Sequence, residues 1–288
     1  MASSLRQRIN IKYFMVGYLS LLLLVASVLS GDLTRFLYGL VTVALYAAFD
    51  LGWTKLRDHV WYLPVSSWIS GLVLANVGPP NPSLWLLVLL PLIAVVGKQL
   101  VHLGKSRHIF NPAGLSLLLV TLFVPVVSWW SASVNVWTLV FVLVGGLIIL
   151  WRQQRWHVVA AFLLVYALGV MAIAALHGAD VQALPEVVWS SFANGALVFF
   201  ATVMLIEPMT SNFPTRANRI TFGALVGLFA VASLVGVSYI PIRDLDPLIF
   251  GLLLGNLIAC LLFLPTAKKP ASAALGSQAS QAYTGTKL

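Results

Sequence analysis

Asn111-Pro-Ala-Gly-Leu-Ser-Leu-Leu-Leu119 opens one apolar run of the chain, and Asp246-Pro-Leu-Ile-Phe-Gly-Leu-Leu-Leu254 opens another. Asn111 is a natural helix N-cap and Pro112 a natural first helical residue, because proline has no N–H to leave unpaired there. A second pair of stretches echoes in the same way. Ser66-Ser-Trp-Ile-Ser-Gly-Leu-Val-Leu74 reappears as Ser190-Ser-Phe-Ala-Asn-Gly-Ala-Leu-Val198, at an offset of 124 residues. Counted along the chain, both echoes match apolar segment n with segment n + 5. A five-crossing unit that is repeated inserts its second copy upside down, so the echoes predict two inverted halves related by an axis in the membrane plane.

The segments are counted from hydropathy. Of 288 residues, 60% are hydrophobic and 9% charged, too few charges to solvate the surface of a water-soluble domain. A bilayer must therefore be the solvent, which excludes a cytosolic enzyme, a nucleic-acid-binding domain and a disordered chain. A span needs about 17–25 mostly apolar residues. Ten segments qualify or nearly so: Ile11–Ser30, Phe36–Thr54, Trp61–Val77, Leu84–His102, Pro112–Val127, Val134–Trp151, His157–Leu176, Val187–Leu205, Ile220–Tyr239 and Pro247–Leu264. The third and fifth are short and bounded by prolines, as half-helices are. The expectation is an all-α integral membrane protein of about ten transmembrane helices in two inverted five-helix repeats. Residues 1–265 form one membrane domain, with repeats at about 11–130 and 134–265, and 266–288 form a flexible cytoplasmic tail rich in Ala, Ser, Gln, Gly and Thr.

Charge orients the bundle. With both termini inside, fifteen of the seventeen Lys and Arg residues fall on the cytoplasmic side and only Arg35 and Arg243 outside, as the positive-inside rule requires. The net charge of +9 is thus mainly a topology signal; membrane lipids are the expected partners, and the charge requires neither an anionic ligand nor an anionic lipid. Nine of ten tryptophans lie near segment ends and are expected to form an interfacial belt. The lone Cys260 excludes an internal disulfide and a multi-cysteine metal centre.

Two polar stretches remain, both on the cytoplasmic side: Lys98-Gln-Leu-Val-His102-Leu-Gly-Lys105-Ser-Arg107-His108-Ile-Phe-Asn111-Pro112, and Glu207-Pro-Met-Thr210-Ser211-Asn-Phe-Pro-Thr-Arg216. Helix N-termini beside Lys98, Lys105 and Arg107 suit an anion, or a neutral ring that becomes anionic on reduction. The same residues are more often topology determinants and lipid head-group contacts, with Glu207 pairing a nearby Arg and Asp50 in a structural ion pair. Ser67, Asn76 and Asn194, on the echoed third and eighth segments, are read either as close helix packing or as the lining of the repeat interface.

At these residues the chain resembles the RnfD/NqrB family, the membrane subunits of Rnf and sodium-pumping NADH:quinone oxidoreductase complexes. Arg107-His-Ile-Phe-Asn-Pro-Ala113 is similar to the family signature R-H-x-F-N-P-A. Glu207-Pro-Met-Thr-Ser211 with Ile220-Thr-Phe-Gly-Ala-Leu-Val-Gly227 is similar to a second, and Gly145-Gly-Leu-Ile-Ile-Leu-Trp-Arg152 to a helix end between them. The resemblance implies a urea-transporter-like fold in the bacterial inner (plasma) membrane, and flavin-mediated electron transfer from a redox partner at the cytoplasmic face. It also implies a riboflavin or FMN site to which Lys98, Arg107, His108, Asn111, Glu207, Thr210 and Ser211 are candidate contributors. Rnf-type members carry a threonine that holds FMN between the fifth and sixth helices. Here that interval, Val126-Val-Ser-Trp-Trp-Ser-Ala-Ser-Val-Asn135, has none, so the flavin is expected to be non-covalent. The alternative is a transporter or channel for flavin or a small urea-like solute, using the interface between the repeats.

Overall fold

The computed structural model describes residues 10–103, 107–236 and 244–264. The expected tail, Lys105 and Arg243 lie outside the described residues. Everything regular within them is helical. The first five helices are α1 (Ile11–Leu29), α2 (Thr34–Asp58), α3 (Val65–Val77), α4 (Leu84–Leu100) and α5 (Pro112–Thr121). They are followed by α6 (Val136–Gln153), α7 (Trp156–Leu176), α8 (Leu184–Phe192), α9 (Gly195–Phe199), the short α10 (Pro208–Ser211), α11 (Arg216–Gly236) and α12 (Pro247–Phe263).

Local chemistry explains the starts. Asn10 accepts from Lys12 N at α1, and Asn135 and Thr138 form a reciprocal capping box at α6. The side chains of Asn111 and Asp246 cap α5 and α12 by accepting from Gly114 N and Ile249 N, with Pro112 and Pro247 next in each chain. α5 stops at Thr121, six residues before the expected Val127. Pro125 lies just ahead, and proline pushes the residue before it out of helical geometry.

Length separates these helices into two kinds. Among the described residues five are long and apolar enough to cross a membrane: α1, α2, α6, α7 and α11. α8 and the run Gly195–Met204 pass together as a sixth, bent by 62°. The four others, α3, α4, α5 and α12, have 10–17 residues. At 1.5 Å per residue the longest of these covers about 26 Å of a ~30 Å layer. A helix thus occupies each of the ten apolar segments, but full-length crossing is a property of five or six. The eighth segment, read as one helix, is broken at Asn194. Its side chain caps the second part by accepting from Ala196 N at 2.9 Å, and the continuation passes through a π turn, Phe200–Met204.

The chain packs as an all-α membrane bundle. α2 packs on α3 and α4, α4 on α5, and α1 on α3; α7 packs on α11, α11 on α12, and α6 on α9. The two sets meet where α1 touches α6 and where α5 touches α12. Absent side chains permit these approaches. A Cβ on Gly145 would lie 2.0 Å from the Tyr18 ring, whose hydroxyl donates to Val142 O at 3.3 Å. On Gly223 it would meet Val158 O at 2.3 Å, so α7 and α11 touch backbone to backbone.

The tryptophan belt needs one correction. Trp61, Trp85, Trp137 and Trp189 are exposed, but Trp129 and Trp130 are buried. Their indole N–H groups donate to Asp246 Oδ2 at 2.6 Å and Ala75 O at 2.9 Å. They are internal struts that tie the segment after α5 to α12 and α3.

Candidate functional site

Residues 107–111 and 207–212, a hundred positions apart, are brought together by hydrogen bonds. Asn111 works in two directions: Oδ1 caps α5, accepting from Gly114 N at 2.9 Å, and Nδ2 donates to Glu207 Oε2 at 2.9 Å. Glu207 ends the segment after α9 and begins α10. Ser211 Oγ donates to its carbonyl at 2.8 Å, and Thr210 Oγ1 donates to its carboxylate at 3.4 Å. Thr210 and Ser211 are fully buried. Arg107 reaches over from the other stretch, donating from Nη1 to Asn212 O at 2.8 Å and from Nη2 to Thr210 O at 3.3 Å. Its guanidinium stacks 4.3 Å from the centre of the Phe213 ring.

Burial pushes the Glu207 carboxyl up to about 7, against the opposing pull of Thr210, Asn111 and the Lys98 charge. The partners of Glu207 are therefore an amide and a hydroxyl rather than the arginine that sequence suggested. His108 moves the other way. Burial, aided by Lys98 and His102, lowers it to about 4, so the ring is neutral at physiological pH.

Lys98 and Ser67 belong to a neighbouring knot centred on Asp50, which is fully buried. Its Oδ2 accepts from Lys98 Nζ at 2.7 Å and from the hydroxyls of Ser67 and Tyr62, and its Oδ1 accepts from Gln99 Nε2 at 2.7 Å. The structural ion pair expected for Asp50 is present, with Lys98 as its partner. Asn76 is buried elsewhere, donating to Leu72 O at 2.7 Å and Leu19 O at 3.3 Å as a brace between α3 and α1. Asn194 is apart again. It lines an open cavity of about 480 Å³ with Ser133, Asn135, Ser190 and Gly195 at the bend between α8 and α9.

Sequence reasoning passed over two residues. Asn256 is fully buried on α12, and neither its amide oxygen nor its nitrogen has a partner. Leu253, on the same helix face, lies 3.7 Å from where a Cβ on Gly114 would sit, and Cys260, one turn further on, reaches Arg107. Asn256 thus lies on the helix that packs on α5. A lone amide inside an otherwise apolar run was the available signal. Arg155, read only as a topology charge, is buried, and it donates to Ser211 O at 3.3 Å and Asn212 Oδ1 at 2.8 Å. Within residues 107–111 the buried Arg107 Nε and His108 Nδ1 have no partner, as do both atoms of the Asn256 amide on α12; other orphaned atoms, such as Thr121 Oγ1 and Gln153 Oε1, belong to other elements. Among the described residues no group of three or more His, Cys, Asp or Glu side chains could hold a metal ion.

The fold and these contacts define an all-α, multi-pass membrane protein in which residues 107–111 and Arg155 meet the turn at 207–212. No protein-family model matches the chain. It is similar to the D component of the ion-translocating oxidoreductase complex of Escherichia coli (strain UTI89 / UPEC), at 24% identity over 273 residues covering 69% of this chain and 76% of that protein. The same component from Escherichia coli (strain K12 / DH10B) is 23% identical over the same shares.

Proposed function

We propose that this protein is a membrane subunit of an ion-translocating oxidoreductase complex, that it binds a flavin non-covalently at the Arg107–Glu207 knot, and that it passes electrons from a cytoplasmic partner protein. The observation that carries the reading is the junction itself. The two stretches that resemble family signatures are joined by the Asn111–Glu207 and Arg107–Asn212 hydrogen bonds, and within the first of them Arg107 Nε and His108 Nδ1 are buried without partners. Buried polar groups are nearly always partnered in native proteins, so unmatched donors and acceptors at one place fit a ligand edge that offers both.

Arg107, His108 and Asn256 have the free hydrogen-bonding capacity and would contact the ring. Asn111, Glu207, Thr210 and Ser211 use theirs on one another and would hold those contacts in position. Glu207 can hold or release a proton at its carboxyl near neutral pH. When bound, a flavin supplies the redox chemistry, and the chain supplies binding, orientation and charge. In the same proposal the ten apolar segments form two inverted five-segment repeats with both termini cytoplasmic. The recurrence of packing supports it: α2 with α4 and α4 with α5 are matched by α7 with α11 and α11 with α12.

The test is an absorption spectrum of the gently purified protein, followed by acid release and mass analysis of the chromophore. A flavin spectrum that weakens in Arg107→Gln is expected. A preparation that stays flavin-free after incubation with riboflavin and FMN overturns the reading. A second reading, a pathway for a small neutral solute, is favoured by the open cavity of about 480 Å³ at the α8–α9 bend; proteoliposome uptake above empty vesicles would support it.

A further inference from the structure

Arg107 and Arg155 hold the same three-residue turn from two sides. Between them they bond Thr210 O, Ser211 O, Asn212 O and Asn212 Oδ1. Those four bonds use two donors of each guanidinium, out of five available. Among the described residues neither arginine has a carboxylate partner. All eight acidic residues of the chain lie within the described residues, and the ion pairs among them join Arg35 to Asp32, Arg57 to Asp58 and Lys98 to Asp50. The charges around Arg155 are instead positive. Burial, then Arg219 and Arg107, lower its pKa. Arg219 spends its Nε on Thr215 O at 3.2 Å. Next to them the ring Nε2 of His157 is buried with no partner.

Arg155 is 7% exposed. A buried charge without a counter-charge is strongly unfavourable, and carbonyl dipoles offset only part of that cost. An anion of suitable shape would complete the arrangement. Guanidinium forks match the oxygens of phosphate better than those of a monatomic ion.

We propose that Arg107, Arg155 and Arg219 form a binding site for a phosphate group, set against the 210–212 turn. The group can arrive on a membrane phospholipid or on a soluble phosphate ester. Arg107 is shared with the flavin site proposed above, so the variants that test the phosphate site are confined to Arg155 and Arg219, which that reading does not use, and phosphate binding is read without added flavin.

The experiment uses the full chain in zwitterionic nanodiscs, with thermal unfolding followed by tryptophan fluorescence. Inorganic phosphate should raise the melting temperature saturably, where chloride at the same ionic strength does not. Arg155→Gln and Arg219→Gln should each weaken the apparent phosphate affinity at least tenfold, with Arg155→Lys intermediate and Lys55→Gln unchanged. Arg219 does not touch the 210–212 turn, so its effect separates phosphate binding from a structural role of Arg155. Two further arms identify the source. Native mass spectrometry should show phosphatidylglycerol retained by the wild type and lost from Arg219→Gln if the donor is a lipid. FMN should bind at least tenfold more tightly than riboflavin, with the difference erased in Arg219→Gln, if it is an ester. Absence of any phosphate, lipid or FMN preference, or a preference that survives both glutamine variants, overturns the site.

Discussion

Glu207 is the residue whose chemistry responds most directly to pH. Its ordinary value is 4.5, and in the folded protein burial raises it to about 7. Between those values the folded state keeps a proton that the unfolded chain has lost. The stability owed to this group is therefore full below pH 4.5, declines as pH rises towards 7, and levels off above. Glu207→Gln keeps an acceptor for Asn111 and removes the titration. We expect its melting temperature to match wild type at pH 4.5 and to exceed it by several degrees at pH 8, measured in nanodiscs; a wild type equally stable relative to the variant at both values would contradict this. Asp50 poses the opposite case, a buried carboxylate already paired with Lys98 at 2.7 Å. Asp50→Ala strands the ammonium, and breaking such a pair costs about 3–5 kcal/mol. The expected readout is a lower unfolding midpoint, largely restored in Asp50→Ala/Lys98→Met.

At the scale of elements, breaks and caps matter more than helix propensity. Gly195 begins α9 immediately after the bend, where a Cβ would stand 1.7 Å from the backbone oxygen of Ala132. Backbone cannot yield as a flexible side chain can, so Gly195→Ala should abolish monodisperse folded protein in size-exclusion chromatography. Gly52→Ala meets nothing within 4 Å and sits within α2, so it should be neutral or stabilising, by up to about 1 kcal/mol. Asn111→Ala removes the α5 cap and the bond to Glu207 together. A lost cap alone costs about 0.5–2 kcal/mol, and we expect the variant to lie at or above the top of that range in a denaturant titration. The cap of α5 was legible in sequence because capping is a local bargain between one side chain and the next few N–H groups. The break at Asn194 was not, because Val187–Leu205 is apolar enough as a whole to read as one span, while the close approach of Gly195 to Ala132 O at the bend is a tertiary contact.

For the whole molecule the proposed arrangement makes a topological prediction. In a Cys260→Ser background, single cysteines at Lys55 and Gln154 should react with an impermeant thiol reagent only from the cytoplasmic side. Those at Asn135 and Asp180 should react only from the other. Reactivity of Lys55 and Gln154 positions on opposite faces would remove the ten-crossing reading. Composition and charge pattern by themselves determined that this chain lives in a bilayer as an all-α bundle, and local sequence where α1, α4, α5 and α12 start, because hydropathy and capping act over a few neighbouring residues. Only the tertiary structure decided that Lys98 turns to Asp50 and that Glu207 meets Asn111. It also decided that Trp129 and Trp130 are internal, and that Arg155 and Arg107 grip one turn. Each of those choices depends on which distant side chain shares a low-dielectric interior, where an unpaired polar group is costly and any available partner is taken.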